Sequence, residues 1–320
     1  MTTQTTPVQA PRKRSLLSRI PVISQLRQSV GLQRFMLVLG LVLTVTFILV
    51  AAFAAWIAPY GWAQQSVNGH AFGTTMPPNS LNLWGTTVSG FDVLSRTVWG
   101  AQTALLAIIC SIAFSIVIGV ILGLIGGYFG GWFDRTLVML SDAIYAFPSL
   151  LLAIVMSIMI SGGQSDLRSG ILAAAISITV VFVPQYFRVI RSEVVRVKAE
   201  PFVESARVIG VPTARILVRH VLRNSTRSLP VVVTLNASEA LLTLAGLGFL
   251  GFGIEPTAAA EWGYDLNRSV ADVSAGIWWT AIPPGIAIVL VVLGITLVGE
   301  SLNDLSDPRL RTRRRAGGAS

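Results

Sequence analysis

Charge is what this sequence has least of. Only 12% of its 320 residues are Asp, Glu, Lys or Arg, about half of what a water-soluble domain carries, so most of the chain has no water to face. Cysteine is nearly absent too. Cys110 stands alone in an apolar run, which excludes a disulfide framework. With His70 and His220 as the only histidines, there is no ligand set for a Cys/His metal site. Lysine occurs as Lys13 and Lys198, neither after a glycine-rich loop, so the Gly-x-x-x-x-Gly-Lys-Ser/Thr phosphate loop of an ATPase is missing. A serine or cysteine nucleophile would lack a credible histidine partner. The sequence therefore offers no catalytic, cofactor-binding or metal-binding residues.

Apolar residues take the place of charge. Six runs are long enough to cross a hydrocarbon layer of about 30 Å, which takes about 20 helical residues. They extend roughly from Phe35 to Ala58, Thr97 to Ile125, Leu137 to Ile160, Ile171 to Phe187, Leu229 to Phe252 and Ile277 to Val298. Strands of a transmembrane barrel would alternate apolar and polar over about 10 residues, and these runs do not. The expectation is an all-α, polytopic membrane protein with six transmembrane helices. The first run exceeds the apolar core of a signal peptide, about 7–15 residues, so it is expected to stay as an anchor.

Residues 1–34 form a basic N-terminal segment too polar to build a core. Residues 35–300 are the six-helix domain, with a basic loop at about 188–228, and residues 301–320 are a basic tail. If the N-terminus is cytoplasmic, 21 of the 24 Lys and Arg lie inside, leaving Arg96, Arg168 and Arg268 outside. Basic residues are retained on the cytoplasmic side during insertion, so both termini are expected there. The net charge of +9 then points to lipid headgroups rather than nucleic acid.

The basic loop is the most informative segment. In Phe202-Val-Glu-Ser-Ala-Arg-Val-Ile-Gly210, Val203, Ala206 and Val208 to Ile209 make a short apolar stripe, with Glu204 and Arg207 three residues apart on a neighbouring face. Gly210 suits a helix C-cap, and Pro212 the first position of a second helix. Arg215, Arg219, Arg223 and Arg227 recur at every fourth residue of that helix, where like charges repel by roughly a few tenths of a kcal/mol per pair. Such a row calls for an anionic partner. Inner-leaflet headgroups are one reading, and a protein docking on the helix–Gly–helix element is the other. Within the spans, Glu239, with Asn236 beside it on the helix, either faces a translocation cavity or is a structural carboxylate bonded between helices. Gly119 to Gly131 and Gly246 to Gly253 suit close helix packing. Pro148 and Pro184 suit kinks.

These residues resemble a known family. Glu204-Ser205-Ala206 followed by Gly210 resembles the Glu-Ala-Ala…Gly loop of the membrane subunits of bacterial ATP-binding-cassette importers, with Ser205 in place of the first Ala. Arg188-Val-Ile-Arg191, Lys198-Ala-Glu-Pro-Phe202 and Arg219-His-Val-Leu222 look like the dipeptide/oligopeptide-permease branch. So do, in chain order, Gly85-Thr86, Asp92-Val-Leu-Ser-Arg96, Gly126-Gly-Tyr-Phe-Gly-Gly131, Ala146-Phe-Pro148, Phe249-Leu-Gly-Phe-Gly253, Trp262-Gly263, Trp278-Trp279, Pro284-Gly285 and Asp307-Pro-Arg309. The likeness covers nearly everything after residue 80 and looks like the second of two paired permeases. Departures are Arg223 where the family has Pro, Thr87 for Asp and Phe91 for Arg. Ala245, Gly246 and Gly248 stand where a Glu-Ala pair and Ser are usual.

The resemblance implies a type I importer permease of the bacterial inner membrane. Its partners would be a homologous second permease, two ATPase subunits or domains that bind the ATP and Mg, and an extracytoplasmic substrate-binding protein. Glu204, Ser205, Ala206, Arg207, Gly210 and Arg215 would belong to a coupling loop whose short helix sits in an ATPase cleft. The implied cargo is a short peptide, with nickel or another small solute as the alternative. The binding protein is expected at Pro59 to Arg96 and at Glu255 to Ala275. The second segment carries Glu255, Glu261, Asp265 and Asp272 against Arg268, a net −3 that suits a basic patch. An ion-coupled secondary transporter would instead show inverted repeats and paired intramembrane charges, and neither stands out. A membrane-bound enzyme would need a catalytic cluster at one face, which the sequence does not supply.

Overall fold

A computed structural model describes residues 32–161 and 167–306. The basic segment up to residue 31 and the tail from Asp307, with its Asp-Pro-Arg motif, lie outside the described residues. The elements are α1 (Leu32–Ala52), α2 (Val93–Phe129), α3 (Gly131–Tyr145), α4 (Ser149–Ser161), α5 (Leu167–Lys198), α6 (Pro201–Val208), a helical stretch α7 over 213–225, α8 (Leu229–Phe249), α9 (Trp262–Ser274) and α10 (Ile282–Ser306). Helices dominate because hydrocarbon offers the backbone no hydrogen-bond partner, so each segment must satisfy its own N–H and C=O groups. Between α1 and α2 lies a ribbon, β1 (Ser66–Val67) antiparallel to β2 (His70–Ala71). Asn68 and Gly69 turn it, both at positive φ as a type I′ hairpin requires.

Five helical stretches are long and apolar enough to cross a membrane: Gln33–Ala52, Val93–Phe129, Gly170–Lys198, Leu229–Phe249 and Ile282–Asn303. Taken together, α3 and α4 are also apolar enough, but they are bent by 98° at the break between them, so they would make a sixth crossing only as one broken span. The unbroken third span expected over Leu137 to Ile160 is therefore corrected. Pro148 has no N–H to donate and crowds the residue before it out of helical geometry, so the run breaks there. Side-chain pairing shows the course of α3. Asp134 and Asp142 are about 12 Å apart along α3, yet they pair with Arg191 and Arg188, which are one turn apart on α5. Hence α3 lies across α5 rather than along it. The fourth run also differs from expectation: its helix continues beyond Phe187 through to Lys198, with Pro184 inside it.

The tightest packing joins α2 to α5. Along one buried face of α2, Thr103, Ala107, Ser111, Ser115, Gly119, Gly123 and Gly127 recur every fourth residue. A Cβ on Gly119 would stand 2.5 Å from that of Tyr186, one on Gly123 2.9 Å from that of Ile190, and one on Gly127 2.9 Å from the Arg191 carbonyl oxygen. Both helices advance together through these contacts, so they run parallel with their backbones nearly touching. Small residues allow this approach and the dispersion contacts it brings. The hydroxyls on the same face are served by backbone carbonyls. Ser115 donates to Ser111 O at 2.7 Å, and Thr179 donates to Ala175 O at 2.7 Å and to Ser111 O across the interface at 3.3 Å. The antiparallel pair α1–α10 uses the same device: Cβ atoms on Gly40 and Gly294 would each come within 2.8 Å of Leu297 and Leu43. Ile178, Phe182, Tyr186, Leu241 and Leu244 fill the space between α5 and α8, while Phe47 and Trp262 bring in α1 and α9.

Replacing Gly123 by Leu would drive a branched side chain into Ile190, at a cost of about 1–3 kcal/mol or more. Gly285, whose nearest neighbour would be 3.8 Å from a new Cβ, is the control. In thermal unfolding of the detergent-solubilised protein, Gly123→Leu should lower the midpoint and Gly285→Ala should leave it unchanged or raised. Equal midpoints for the two variants would contradict the close α2–α5 contact.

Candidate functional site

At the end of the bundle where residues 188–228 lie, α5 projects beyond its apolar run. Lys198, in its last turn, donates from Nζ to Gly127 O at 2.9 Å and Tyr128 O at 3.3 Å. This places a cation on the exposed carbonyls that end α2, the favourable end of a helix dipole for positive charge. The chain then turns through Glu200, in extended conformation, and enters α6 with Pro201 at its first position, where the missing N–H costs nothing. Val203 and Ala206 are buried and pack with Val194 and Val197 of α5 and Ile216 and Val221 of α7. Glu204, Ser205 and Arg207 face outward. Arg207 donates to the Tyr128 hydroxyl at 3.3 Å and lies 5.2 Å from the centre of its ring.

The helix ends in a Schellman turn. Val211 N–H donates to Ala206 O and Gly210 N–H to Arg207 O, both at 3.0 Å. Gly210 has φ +79°, and no atom lies within 4 Å of where its Cβ would be. Its backbone angle, rather than any shortage of space, calls for glycine there. Two sequence expectations change here. Val208 and Ile209 do not continue the buried stripe: at about 100° per residue they fall away from the face of Val203 and Ala206, 82% and 77% exposed. Pro212 precedes the second helix instead of opening it, since the helix begins at Thr213. That helix is π-helical through Ile216–Leu222; Arg215, Arg219 and Arg223 are exposed on it, and Arg227 is exposed in the turn that follows. The resulting site is a short ridge held from beneath by Val203 and Ala206. It leaves Glu204, Ser205, Arg207, Val208 and Ile209 exposed. Tyr128 and Lys198, which fix the ridge to α2, lie far from it in sequence and carried no local signal.

The structure separates the two residues proposed for a cavity. Asn236 is 1% exposed, beside Tyr186 of α5, whereas Glu239 is exposed. Glu239 shares a small cavity of about 50 Å³ with Tyr145, Phe147, Ser149 and Gln185. Next to it, Asp142 pairs with Arg188, whose guanidinium lies 4.4 Å from the centre of the Tyr145 ring.

At the opposite end, Arg96 is 2% exposed. It donates from Nε to both carboxylate oxygens of Asp265 at 2.8 and 3.0 Å, and from Nη1 to the carbonyls of Trp62 and Pro256. The Glu261 carboxylate caps α9, accepting from Gly263 N–H and Tyr264 N–H at 2.7 Å each. Asp272 is buried as well. The expected acidic face of Glu255 to Ala275 is thus corrected, because burial and internal pairing leave only Glu255 of the four carboxylates exposed. The departure at Gly248 has a counterpart here: a Cβ there would fall 1.7 Å from Glu261 Oε2.

Comparison with known proteins bears on this geometry. Residues 115–312 match the family described as binding-protein-dependent transport system inner membrane component. The chain is 37% identical over 268 residues to the glutathione transport system permease protein GsiD of Shigella flexneri serotype 5b, covering 83% of this chain and 84% of that one. It is 34% identical, with the same coverage, to the proteins of that name from Escherichia coli O157:H7 and Shigella boydii serotype 4.

Burial pushes the Glu261 carboxyl up to about 8, against the opposing pull of the Gly263 and Tyr264 N–H groups. Its folded-state value lies above its unfolded one, so its stabilising contribution is complete below the unfolded value and is lost as pH rises through about 8. The unfolding midpoint should therefore fall between pH 5.5 and about 8 and then level off. Glu261→Gln should remove most of that slope; superimposable pH profiles for the two proteins would refute it.

Proposed function

Because the chain belongs to the family of binding-protein-dependent transport system inner membrane components, we propose that it forms, with a second permease, the membrane path of an ATP-driven importer for short peptides. The exposed ridge of α6 carries this reading. A helix of eight residues, seated on its own bundle by Val203 and Ala206, turns two bare apolar side chains and the charged Glu204 away from the protein. Such a ridge suits the cleft of a cytoplasmic ATPase, with Glu204, Ser205, Arg207 and Arg215 at its rim and Gly210 setting its shape. ATP and Mg would be bound by that partner. The basic end then faces the cytoplasm, along with both termini, as the excess of arginine there favours. An extracytoplasmic binding protein would deliver cargo to the opposite end. The cargo named for the relatives, glutathione, is itself a small peptide.

Glu239 supports a path along the uncovered face of α8. It lies ten residues into a helix that begins at Leu229, about 15 Å from that end. An ionisable group turned to lipid at such depth costs about 2.5–3.5 kcal/mol. A second permease or a water-filled passage on that face removes the penalty. Asn236, one turn before it, is buried beside Tyr186.

Gly210→Val would place a β-branched residue at φ +79° and distort the ridge, whereas Val208→Asp leaves the backbone intact but desolvates a charge in the cleft. In proteoliposomes holding the complete importer, both variants should lose most peptide uptake while the ATPase subunits still hydrolyse ATP. Unchanged uptake driven by ATP in both would remove α6 as the coupling element.

A further inference from the structure

Beside the ridge runs a groove that the proposed docking does not use. It has a volume of about 520 Å³ and lies between α2 and α7. One wall is Val117 and Ile121 of α2, the other Val218 and Leu222 of α7, and Arg223 is the one charged residue lining it. Val117 and Ile121 are half exposed to the outside of the bundle.

The depth of this groove follows from the α2–α5 register. Gly119 of α2 is level with Tyr186 and Phe187, and the next residue of α5, Arg188, is exposed and charged. The part of α2 that walls the groove therefore lies where apolar span gives way to charge, at the boundary of hydrocarbon and headgroups. A molecule seated there meets apolar walls on the membrane side and a guanidinium at the rim.

Among the described residues, most of the charge on this segment has no partner within the chain. No Asp or Glu occurs between Glu204 and Glu239. Among the described residues, the side chains of Arg215, Arg219 and Arg223 take part in no ion pair or hydrogen bond, although Arg227 donates to Asn224. Their mutual repulsion favours binding of an anion.

We propose that this groove binds an anionic phospholipid, one acyl chain along Val117, Ile121, Val218 and Leu222 and its phosphate on Arg223, with Arg219 and Arg227 one turn away on either side. The occupant bears on the ridge because α7 is shared. Its outer face lines the groove, while Ile216 and Val221 form part of the seat of Val203 and Ala206. The lipid braces a π-helical segment whose hydrogen bonds are wider than those of an α-helix, and through it the seat of α6.

The test is native mass spectrometry of the purified complete importer titrated with phosphatidylglycerol, phosphatidylcholine or inorganic phosphate. Phosphatidylglycerol should be retained in preference to phosphatidylcholine, and phosphate alone should not compete with it. Arg223→Ala should weaken retention by about fivefold, as expected for the loss of one basic residue at a lipid surface, and Arg223→Lys should restore most of it. Val117→Trp, which fills the groove and leaves every charge in place, should weaken it as well. Retention unaffected by Val117→Trp, equal retention of the two lipids, or displacement by phosphate alone would each overturn the proposal. So would a photo-crosslink from position 117 to the second permease instead of to lipid. None of these readouts requires transport, so failure here is distinct from failure of the docking role of α6.

Discussion

The contact between α2 and α5 is the one on which the rest depends. Hydrocarbon does not drive apolar helices together, because lipid tails are as apolar as leucine, so association must come from close packing and hydrogen bonds. The four-residue repeat of small side chains provides both. It lets α5 lie against α2 with Tyr186, Ile190 and Val194 over bare backbone, and it puts the Ser111 carbonyl within reach of Thr179. Once the two helices are joined in parallel, their ends at 127–129 and 194–198 are neighbours. Lys198 can then bridge to the last carbonyls of α2, and Tyr128 can receive Arg207. The ridge is thus fastened to two spans at once, so a load placed on α6 would be shared by the paired helices.

Much of this was legible in the sequence. The six apolar runs and the asymmetry of Lys and Arg are properties of long stretches, which composition reports well. The C-cap at Gly210 was legible because left-handed backbone is so strongly tied to glycine. What escaped depended on direction and on partners distant in the chain. Val208 and Ile209 are apolar, but five and six residues on from Val203 the helical rotation carries them off the buried face. Pro148 suggested a kink, while a bend of 98° needs the pairing of Asp134 and Asp142 with neighbouring arginines to fix it.

The acidic segment at the other end teaches a related point. A count of charges over Glu255 to Ala275 describes a face only if the charges reach the surface. Arg96, 169 residues away from Asp265, and the N-terminus of α9 take up carboxylates that sequence alone leaves free. A buried ion pair of this kind is costly to break, since either partner alone would be an uncompensated charge. It ties α2 to α9, and the bond from Arg96 to the Trp62 carbonyl adds the loop before α2 to the same unit.

The Schellman turn after α6 divides two tasks between different parts of the same few residues. Shape comes from two backbone hydrogen bonds, one positive φ and a pair of inward side chains. Identity comes from the outward ones, Glu204, Ser205, Arg207, Val208 and Ile209, of which Arg207 bonds to Tyr128 of α2. Mutation can therefore rewrite the surface offered to a partner without disturbing the turn that presents it. If the ridge is where the motor docks, as proposed, drift at a handful of positions would move the permease from one motor to another with its membrane scaffold intact.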